Sequence, residues 1–433
     1  LRKILFAMVV TFIIFMSVAC QSNKDEKNSS SDKTAKASGD KVEITYWYAW
    51  GDKIGENNEK LTEMFNESQD EIHVTAEYQG TYEDLHAKTQ AAFAAGNAPE
   101  VTLNEIASIG VFAKSGMTEN LTPFVENDDI NLGDFIPGLM GNSYVDDELY
   151  GLPYLRSTPI LYMNTTMLKE AGLDPEGPKT WEEFETYLKK LTKEGEHVGM
   201  SMPAGIWFYE AFVAQSGGQM ISDDGTEVEF NGDAGVEALE FWKKIEDKEY
   251  VKVPEGDEAG DIAKQDFANE RAAMIFSSTA DLSYMLTLAE DNDFALNTAF
   301  MPSNETHAVP TGGANMVMTA GLDKEKQNAA WEFIKWMTAK EQTIFASKYT
   351  GYLPSRLSAV ESEEMKELYK EMPQFKVAVD QLEYGHARPM EEAYPEISMT
   401  LQDEILRTLL DEDLDPQEAL DTAAEKANGM LQQ

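Results

Sequence analysis

Between Val42 and Asn104 the chain carries five alternating strand and helix signals in about sixty residues, and this restricts its fold more than any other feature. Val42 to Tyr48 is rich in β-formers and alternates, which predicts a strand. Ile54 to Asn66 places Leu61, Met64 and Phe65 on one helical face. Ile72 to Tyr78 reads as a second strand. Tyr82 to Ala95 is an Ala-rich helix that stops at Gly96-Asn97-Ala98-Pro99. Glu100 to Asn104 is a third strand. Strand, helix, strand, helix, strand is the grammar of an α/β sheet with parallel crossovers.

The rest of the body continues in that grammar. Tyr150 to Asn164 is a long extended stretch in which Pro153 and Pro159 oppose helix, and such a segment can run from one lobe into the next. Thr180-Trp181-Glu182-Glu183 opens a helix with a capping box, burying Trp181, Phe184, Leu188 and Leu191. A helix over 233–246 presents Val236, Leu239, Trp242 and Lys243 at helical spacing. Ala273 to Phe276 reads as a strand that breaks at Ser277-Ser278-Thr279, with a helix from about Ala280. Gly312-Gly313 leads into a strand over Met316 to Thr319. Lys324 to Thr338 is an amphipathic helix with Ala329, Phe333, Trp336 and Met337 inward, and Met390 to Leu410 and Pro416 to Leu431 are helical. No repeat of 20 to 50 residues is evident.

The body, about Lys41 to Gln433, exceeds one comfortable hydrophobic core, so two lobes are expected. Ahead of it, Arg2 and Lys3 precede an apolar run from Ile4 to Phe15 that closes on Ser17-Val18-Ala19-Cys20. Residues 1–19 therefore read as a signal peptide, too short for a span of about 20 apolar residues. Cys20 is the only cysteine of the 433 residues, so it has no internal disulfide partner, and its place fits lipid modification. A plain secretory signal with an incidental cysteine is the blander alternative. Residues 20–40 are Ser, Asn, Lys, Asp and Ala with little to bury, which predicts a lipidated, disordered tether. The expected location is the extracellular face of a cell membrane of the Gram-positive type, with the membrane reached only through that lipid.

The charge is lopsided, with 78 acidic against 35 basic residues and a net of −43, or −45 without the leader's Arg2 and Lys3. This argues against nucleic acid, whose phosphates need Lys and Arg stripes, and against docking of the body on anionic lipid. Solubility, or a salty or alkaline habitat, accounts for it.

Catalytic constellations are sparse. There is no nucleophile elbow, no P-loop, no dinucleotide fingerprint and no calcium loop, and His73, His86, His197, His307 and His386 are scattered. No metal or other cofactor is expected. Acid–base carboxylate pairs are defined in space, so a secreted glycoside-active enzyme stays open as a different class, and an adhesin or structural lipoprotein as a third. Binding is better supplied. Aromatic and small polar residues recur where strands end: Tyr46, Trp47 and Trp50; Tyr82; Ser157 and Thr158; Trp207, Phe208 and Tyr209; Ser277 and Ser278; Gly312 and Gly313; Tyr352; Arg388. Such loops line the crevice of an open α/β sheet and suit a small polar ligand. For each aromatic the plain alternative is core packing, and for the two serines a helix N-cap.

Several segments resemble a known family. Ser157-Thr158-Pro159-Ile160-Leu161-Tyr162-Met163-Asn164, Lys169-Glu170-Ala171-Gly172-Leu173-Asp174-Pro175, Pro178-Lys179-Thr180-Trp181, Gly312-Gly313 and Thr350-Gly351-Tyr352-Leu353-Pro354 are similar, in order and spacing, to extracellular solute-binding proteins of the family 1 type, the receptors of carbohydrate ABC importers. Tyr78-Gln79-Gly80-Thr81-Tyr82-Glu83, Gly96-Asn97-Ala98-Pro99 and Pro416-Gln417-Glu418-Ala419-Leu420-Asp421-Thr422-Ala423 most resemble the branch that takes sn-glycerol-3-phosphate. The resemblance implies a two-lobed periplasmic-binding-protein-like α/β fold of type II, each lobe a sheet flanked by helices, with lobe 1 at 41–156 plus 312–349 and lobe 2 at 157–311 plus 350–433. It implies ligand contacts at Tyr82, Glu105, Ser157, Trp207, Ser278, Gly313, Tyr352 and Arg388. Arg388 would fork onto phosphate, with a surface salt bridge as its plain alternative. Glu105 would accept from glycerol hydroxyls. Ser157, Ser278 and Tyr352 would donate, and Gly313 would offer a backbone N–H. Trp207 stands alone where that branch carries two tryptophans, with Phe208 or Tyr209 as the substitute. The implied protein is a monomer without catalytic activity. It captures glycerol-3-phosphate, a glycerophosphodiester or, alternatively, a neutral sugar, and delivers it to two permease subunits driven by an ATPase.

Overall fold

The computed structural model describes residues 41–256, 258–411 and 413–432. The expected leader, Cys20 and tether lie outside the described residues. Two five-stranded sheets carry the body. The first takes β1 (Val42–Tyr48), β2 (Ile72–Tyr78), β3 (Val101–Glu105), β4 (Leu152–Ser157) and, much later, β10 (Gly312–Met318), in the order β2-β1-β3-β10-β4. The second takes β5 (Pro159–Asn164), β6 (Val198–Ser201), β7 (Val251–Lys252), β8 (Ala272–Ser278) and β9 (Leu296–Ala299), in the order β9-β5-β8-β6-β7. Each sheet has three parallel neighbours, then one antiparallel strand, β10 or β5, then a fifth strand antiparallel to that one. The parallel crossovers expected from the sequence are present, and the antiparallel insertions are what pure strand–helix alternation does not announce.

Local chemistry explains the elements that were legible. In β1 the alternation sends Ile44, Tyr46 and Tyr48 inward and leaves Glu43 in solvent. Helix α1 (Asp52–Ser68) packs Leu61 and Phe65 on the sheet. Helix α2 (Tyr82–Ala95) starts at Thr81, whose hydroxyl accepts from the Asp84 N–H while the Asp84 carboxylate accepts from the Thr81 N–H. Gly96 ends α2 at φ +76°, a left-handed conformation that glycine adopts without strain. Helix α3 (Trp181–Leu191) buries the four side chains named for it. Its box is not reciprocal: Thr180 accepts from the Glu183 N–H, but the Glu183 carboxylate accepts from the Lys179 N–H instead of the cap residue.

Four further expectations shift. The strand read as ending at Phe276 runs through Ser278, and the one read as starting at Met316 already begins at Gly312. Residues 390–393 are not helical, because the helix begins at Tyr394. On the helix Lys324–Met337, Trp331 is the buried tryptophan at 4% exposure and Trp336 is half-buried.

The stretch 150–164 divides at Thr158. β4 closes the first sheet, β5 joins the second, and all twelve strand residues are buried. The second sheet is covered on both faces. Leu161, Met163, Met274 and Phe276 point into one core with Phe184, Phe212, Leu239 and Trp242, while Ile160, Tyr162 and Ile275 point into another with Phe267, Met285 and Phe375. The first sheet packs Ile44, Tyr46, Leu103 and Met316 against Phe65, Phe333, Ile334 and Met337.

Candidate ligand-binding site

The named residues stand mostly where strands meet their loops. Glu105 ends β3, Ser157 ends β4, Ser278 ends β8, Gly312 and Gly313 open β10, and Tyr82 is the first residue of α2 after β2. Trp207 lies in the first turn of helix α4 (Ile206–Gln215), which follows β6. In an open α/β sheet these ends form the crevice.

Gly312 lies against residues of both halves of the molecule. It pairs with Ser157 in the sheet, and a Cβ placed on it would lie 2.6 Å from the Trp207 ring and 3.0 Å from Ser157 Oγ. The Trp207 indole N–H donates to the Thr311 carbonyl at 3.2 Å. Gly313 has φ +88°, and a Cβ there would sit 1.9 Å from the Leu155 carbonyl oxygen, so only glycine fits. Phe208 leans toward the second core, and Tyr209 is buried there with its hydroxyl donating to the Gly235 carbonyl at 2.7 Å. Tyr209 therefore does not take the place of a second tryptophan, while the half-buried Phe208 ring lies 5.8 Å from that of Trp207.

Tyr82 supplies an open valence. Its hydroxyl is shut off from solvent without a well-aligned hydrogen bond, and the Trp50 and Tyr352 side chains are its polar neighbours, close enough for a weak one. The Trp50 and Tyr82 rings meet edge to face at 5.3 Å. Trp50 is 37% exposed and has φ +69°, an uncommon backbone for a bulky residue. Burial holds the Tyr82 and Tyr352 hydroxyls well above the usual phenol range, so both are protonated donors. Tyr352 is itself buried, and Gly351 before it (φ +112°) packs on the Thr279 carbonyl next to Ser278. Ser278 also serves as an N-cap, its hydroxyl accepting from the Ala280 N–H at 3.1 Å.

Arg388 is not a surface ion pair. Its side chain is 14% exposed and its guanidinium joins two carboxylates from opposite halves. Nε and Nη2 donate to Glu210 at 2.8–3.2 Å, and Nη1 donates to Glu105 Oε1 at 3.0 Å. Glu210, on α4, is 3% exposed and also accepts from the Tyr394 hydroxyl at 2.5 Å. The Arg388 backbone is held on both sides by the Asn142 carboxamide. Burial pushes the Glu105 carboxyl above its usual range, with the Arg388 charge opposing that shift. Next to Glu105, burial pushes the His86 imidazole down to about 4, leaving it neutral.

Sequence reasoning did not find Glu210, Tyr394, Asn142 or Arg156 as site residues. Arg156 is fully buried in β4. It donates to the Gly312 and Leu139 carbonyls, to Asn315 Oδ1 and to Thr311 Oγ1 at 2.6–3.1 Å, and so holds the start of β10 in place. Arg156 had one available signal: it is one of five arginines after the leader and sits in the apolar, twice-proline-marked stretch 150–164. Among the described residues no group of three or more His, Cys, Asp or Glu could hold a metal ion.

Comparison with known proteins gives these ends their context. The sn-glycerol-3-phosphate-binding periplasmic protein UgpB of Yersinia pestis bv. Antiqua is 27% identical over 416 residues, covering 90% of this chain and 92% of the relative. The structure of UgpB from Mycobacterium tuberculosis in complex with glycerophosphocholine superposes with a TM-score of 0.81 at 24% identity, covering 91% of this chain and 99% of that one. The ABC substrate-binding protein Lmo0181 from Listeria monocytogenes, in complex with cycloalternan, gives a TM-score of 0.80 at 22% identity over 91% and 100% of the two chains. These structures share the two-lobed fold. The family model described as bacterial extracellular solute-binding protein matches residues 60–376, most of the body, and the chain belongs to that family.

Proposed function

We propose that the protein captures sn-glycerol-3-phosphate or a glycerophosphodiester between its two sheets and hands it unchanged to two ABC permease subunits powered by an ATPase. The observation that carries this reading is the enclosed Tyr82 hydroxyl, without a well-formed hydrogen bond and bordered by Tyr352 and Trp50, within the field of Glu105, which shares the Arg388 guanidinium with Glu210. A buried hydroxyl without such a bond is costly and is answered by a polar ligand. Lobe 1 is 41–156 plus 312–349 and lobe 2 is 157–311 plus 350–433, and closure is favoured when both walls bond to one ligand. The likeness to the glycerol-3-phosphate-binding relative, over nine-tenths of the chain, supports the ligand class.

Cys20 carries a lipid, and residues 21–40 tether a monomeric receptor to the outer face of a Gram-positive cell membrane, where tethering raises its concentration at the permease. The apolar run before Ser17-Val18-Ala19-Cys20 supports this part. A neutral sugar is the second reading. It is favoured by the engagement of Arg388 with two carboxylates and by the aromatic faces of Trp50, Tyr82 and Trp207.

A thermal-shift panel of glycerol-3-phosphate, glycerophosphocholine, maltose, xylo-oligosaccharides and raffinose decides. A ligand at about 100 times its dissociation constant adds about 2.7 kcal/mol of stability. A shift with a phosphate ligand is expected, and a shift with sugars alone refutes the phosphate reading.

A further inference from the structure

Arg388 has five N–H donors, and three are already spent. The Nε hydrogen and one on Nη2 go to Glu210, and one on Nη1 goes to Glu105. What remains for an incoming oxyanion is one hydrogen on each of Nη1 and Nη2. Glu210 is fixed in place, with its side chain 2% exposed and bonded to the Tyr394 hydroxyl from the neighbouring helix Tyr394–Leu410. Glu105 is less enclosed at 17%, but its second oxygen accepts from the Ala107 N–H at 3.0 Å. Arg156, whose field also reaches Glu105, has its guanidinium committed to neutral acceptors on Gly312, Leu139, Asn315 and Thr311.

A phosphomonoester carries three free oxygens and a charge of about −1.5 to −2 at pH 7. A phosphodiester carries two free oxygens and one negative charge. Two remaining donors match the diester. The monoester's third oxygen would find no further Arg388 N–H, and it would bring nearly a second negative charge beside two carboxylates.

We propose that Glu210 sets the charge class of the ligand: by holding the Nε–Nη2 edge of Arg388 it leaves a two-donor seat flanked by two carboxylates, which takes a phosphodiester in preference to a phosphomonoester. This inference rests on the reading of the cleft as a glycerol phosphate site. Glu210 acts through Arg388 and is a specificity-determining residue.

Isothermal titration at pH 7.5 with sn-glycerol-3-phosphate, glycerophosphoglycerol, glycerophosphocholine and maltose tests it, on the wild type and on Glu210→Gln. Both diesters should bind the wild type at least tenfold more tightly than the monoester. In Glu210→Gln the monoester should gain at least tenfold and the gap should close. Equal or tighter binding of the monoester by the wild type overturns the inference and leaves the glycerol phosphate reading standing. Preference for glycerophosphocholine alone, with glycerophosphoglycerol no better than the monoester, also overturns it, because the choline cation is then what is read. Binding of maltose and of none of the phosphates removes the ligand reading first and the inference with it. The wild-type ligand series decides even if the variant does not fold.

Discussion

Arg156 and Arg388 are both drawn out of water, and they are satisfied in opposite ways. Arg156, fully buried, meets two carbonyls, a carboxamide and a hydroxyl, all neutral. Burial pushes its guanidinium down to about 9, which still leaves it charged at neutral pH. Arg388 meets two carboxylates. Burial works against its charge as well, but Glu210 and Glu105 outweigh that and hold it above the ordinary guanidinium range. Neutral acceptors fixed in a sheet make a scaffold with nothing to exchange. Carboxylates contributed by two different halves make a junction whose partners a ligand can compete for. The first arrangement holds the start of β10, and the second ties α4 to the end of β3.

Removing each guanidinium separates the two roles, and Arg156 should cost more. Arg156→Met strands four acceptors at about 1–3 kcal/mol each, so a loss of about 5 kcal/mol in unfolding free energy is expected in urea titrations. A loss below about 2 kcal/mol would mean that water replaces the side chain and that the scaffold role is wrong. Arg388→Met should cost about 4 kcal/mol, because it leaves two carboxylates together in a poorly solvated site. The sharper contrast is rescue. Arg388→Met with Glu210→Gln should recover at least half of that loss, since a buried ion pair replaced as a unit is close to neutral. No single partner change can rescue Arg156, because two of its acceptors are backbone carbonyls.

Acid should act on the junction and leave the scaffold alone. His86 lies beside the Glu105 backbone and Ser108, and burial depresses its pKa from 6.5 to about 4. A depressed folded-state pKa contributes stability that is complete above 6.5 and is lost as pH falls to about 4, for a total of about 3 kcal/mol. Glu105 works in the other sense. Its pKa is raised, so its contribution is present below the unfolded-state pKa and is lost as pH rises through the folded-state one. The expected record is a stability decline between pH 6.5 and 4.5 that His86→Phe flattens. A decline unchanged in that variant would place the sensitive group elsewhere.

How much of this was legible follows from the range of each interaction. The run from β1 to β3 reads directly because strand alternation, the Ala-rich helix and its Gly96 stop all act within a few residues. The passage 150–164 reads as a crossing because Pro153 and Pro159 exclude helix locally, and it does pass from one sheet to the other. Gly312 and Gly313 read as a lead-in to a strand, yet they are strand. Their glycines are demanded by the Leu155 carbonyl and the Trp207 ring, which no local pattern reports. Arg388 entered through family resemblance, but its partners lie 178 and 283 residues away in sequence. Glu210 sits in an apolar helix where its position gives no sign of the charge it meets. Carboxylates are too common in this chain for one to stand out.

The smallest effect tests whether the two regions are separate. Thr311 and Gly312 are held from one side by Arg156, through Thr311 Oγ1 and the Gly312 carbonyl, and from the other by Trp207, through the Thr311 carbonyl. Trp207→Phe keeps a ring against Gly312 and removes one N–H, so it should cost about 1 kcal/mol. Combined with Arg156→Met it should be non-additive by more than about 0.5 kcal/mol, because both substitutions loosen the same dipeptide. Combined with Arg388→Met it should add within about 0.5 kcal/mol, since Trp207 bonds to none of the groups that hold Arg388. Coupling of Trp207 to Arg388 instead of Arg156 would show that the indole belongs to the charged junction, and the division between a fixed scaffold and an exchangeable junction would then have to be redrawn along α4.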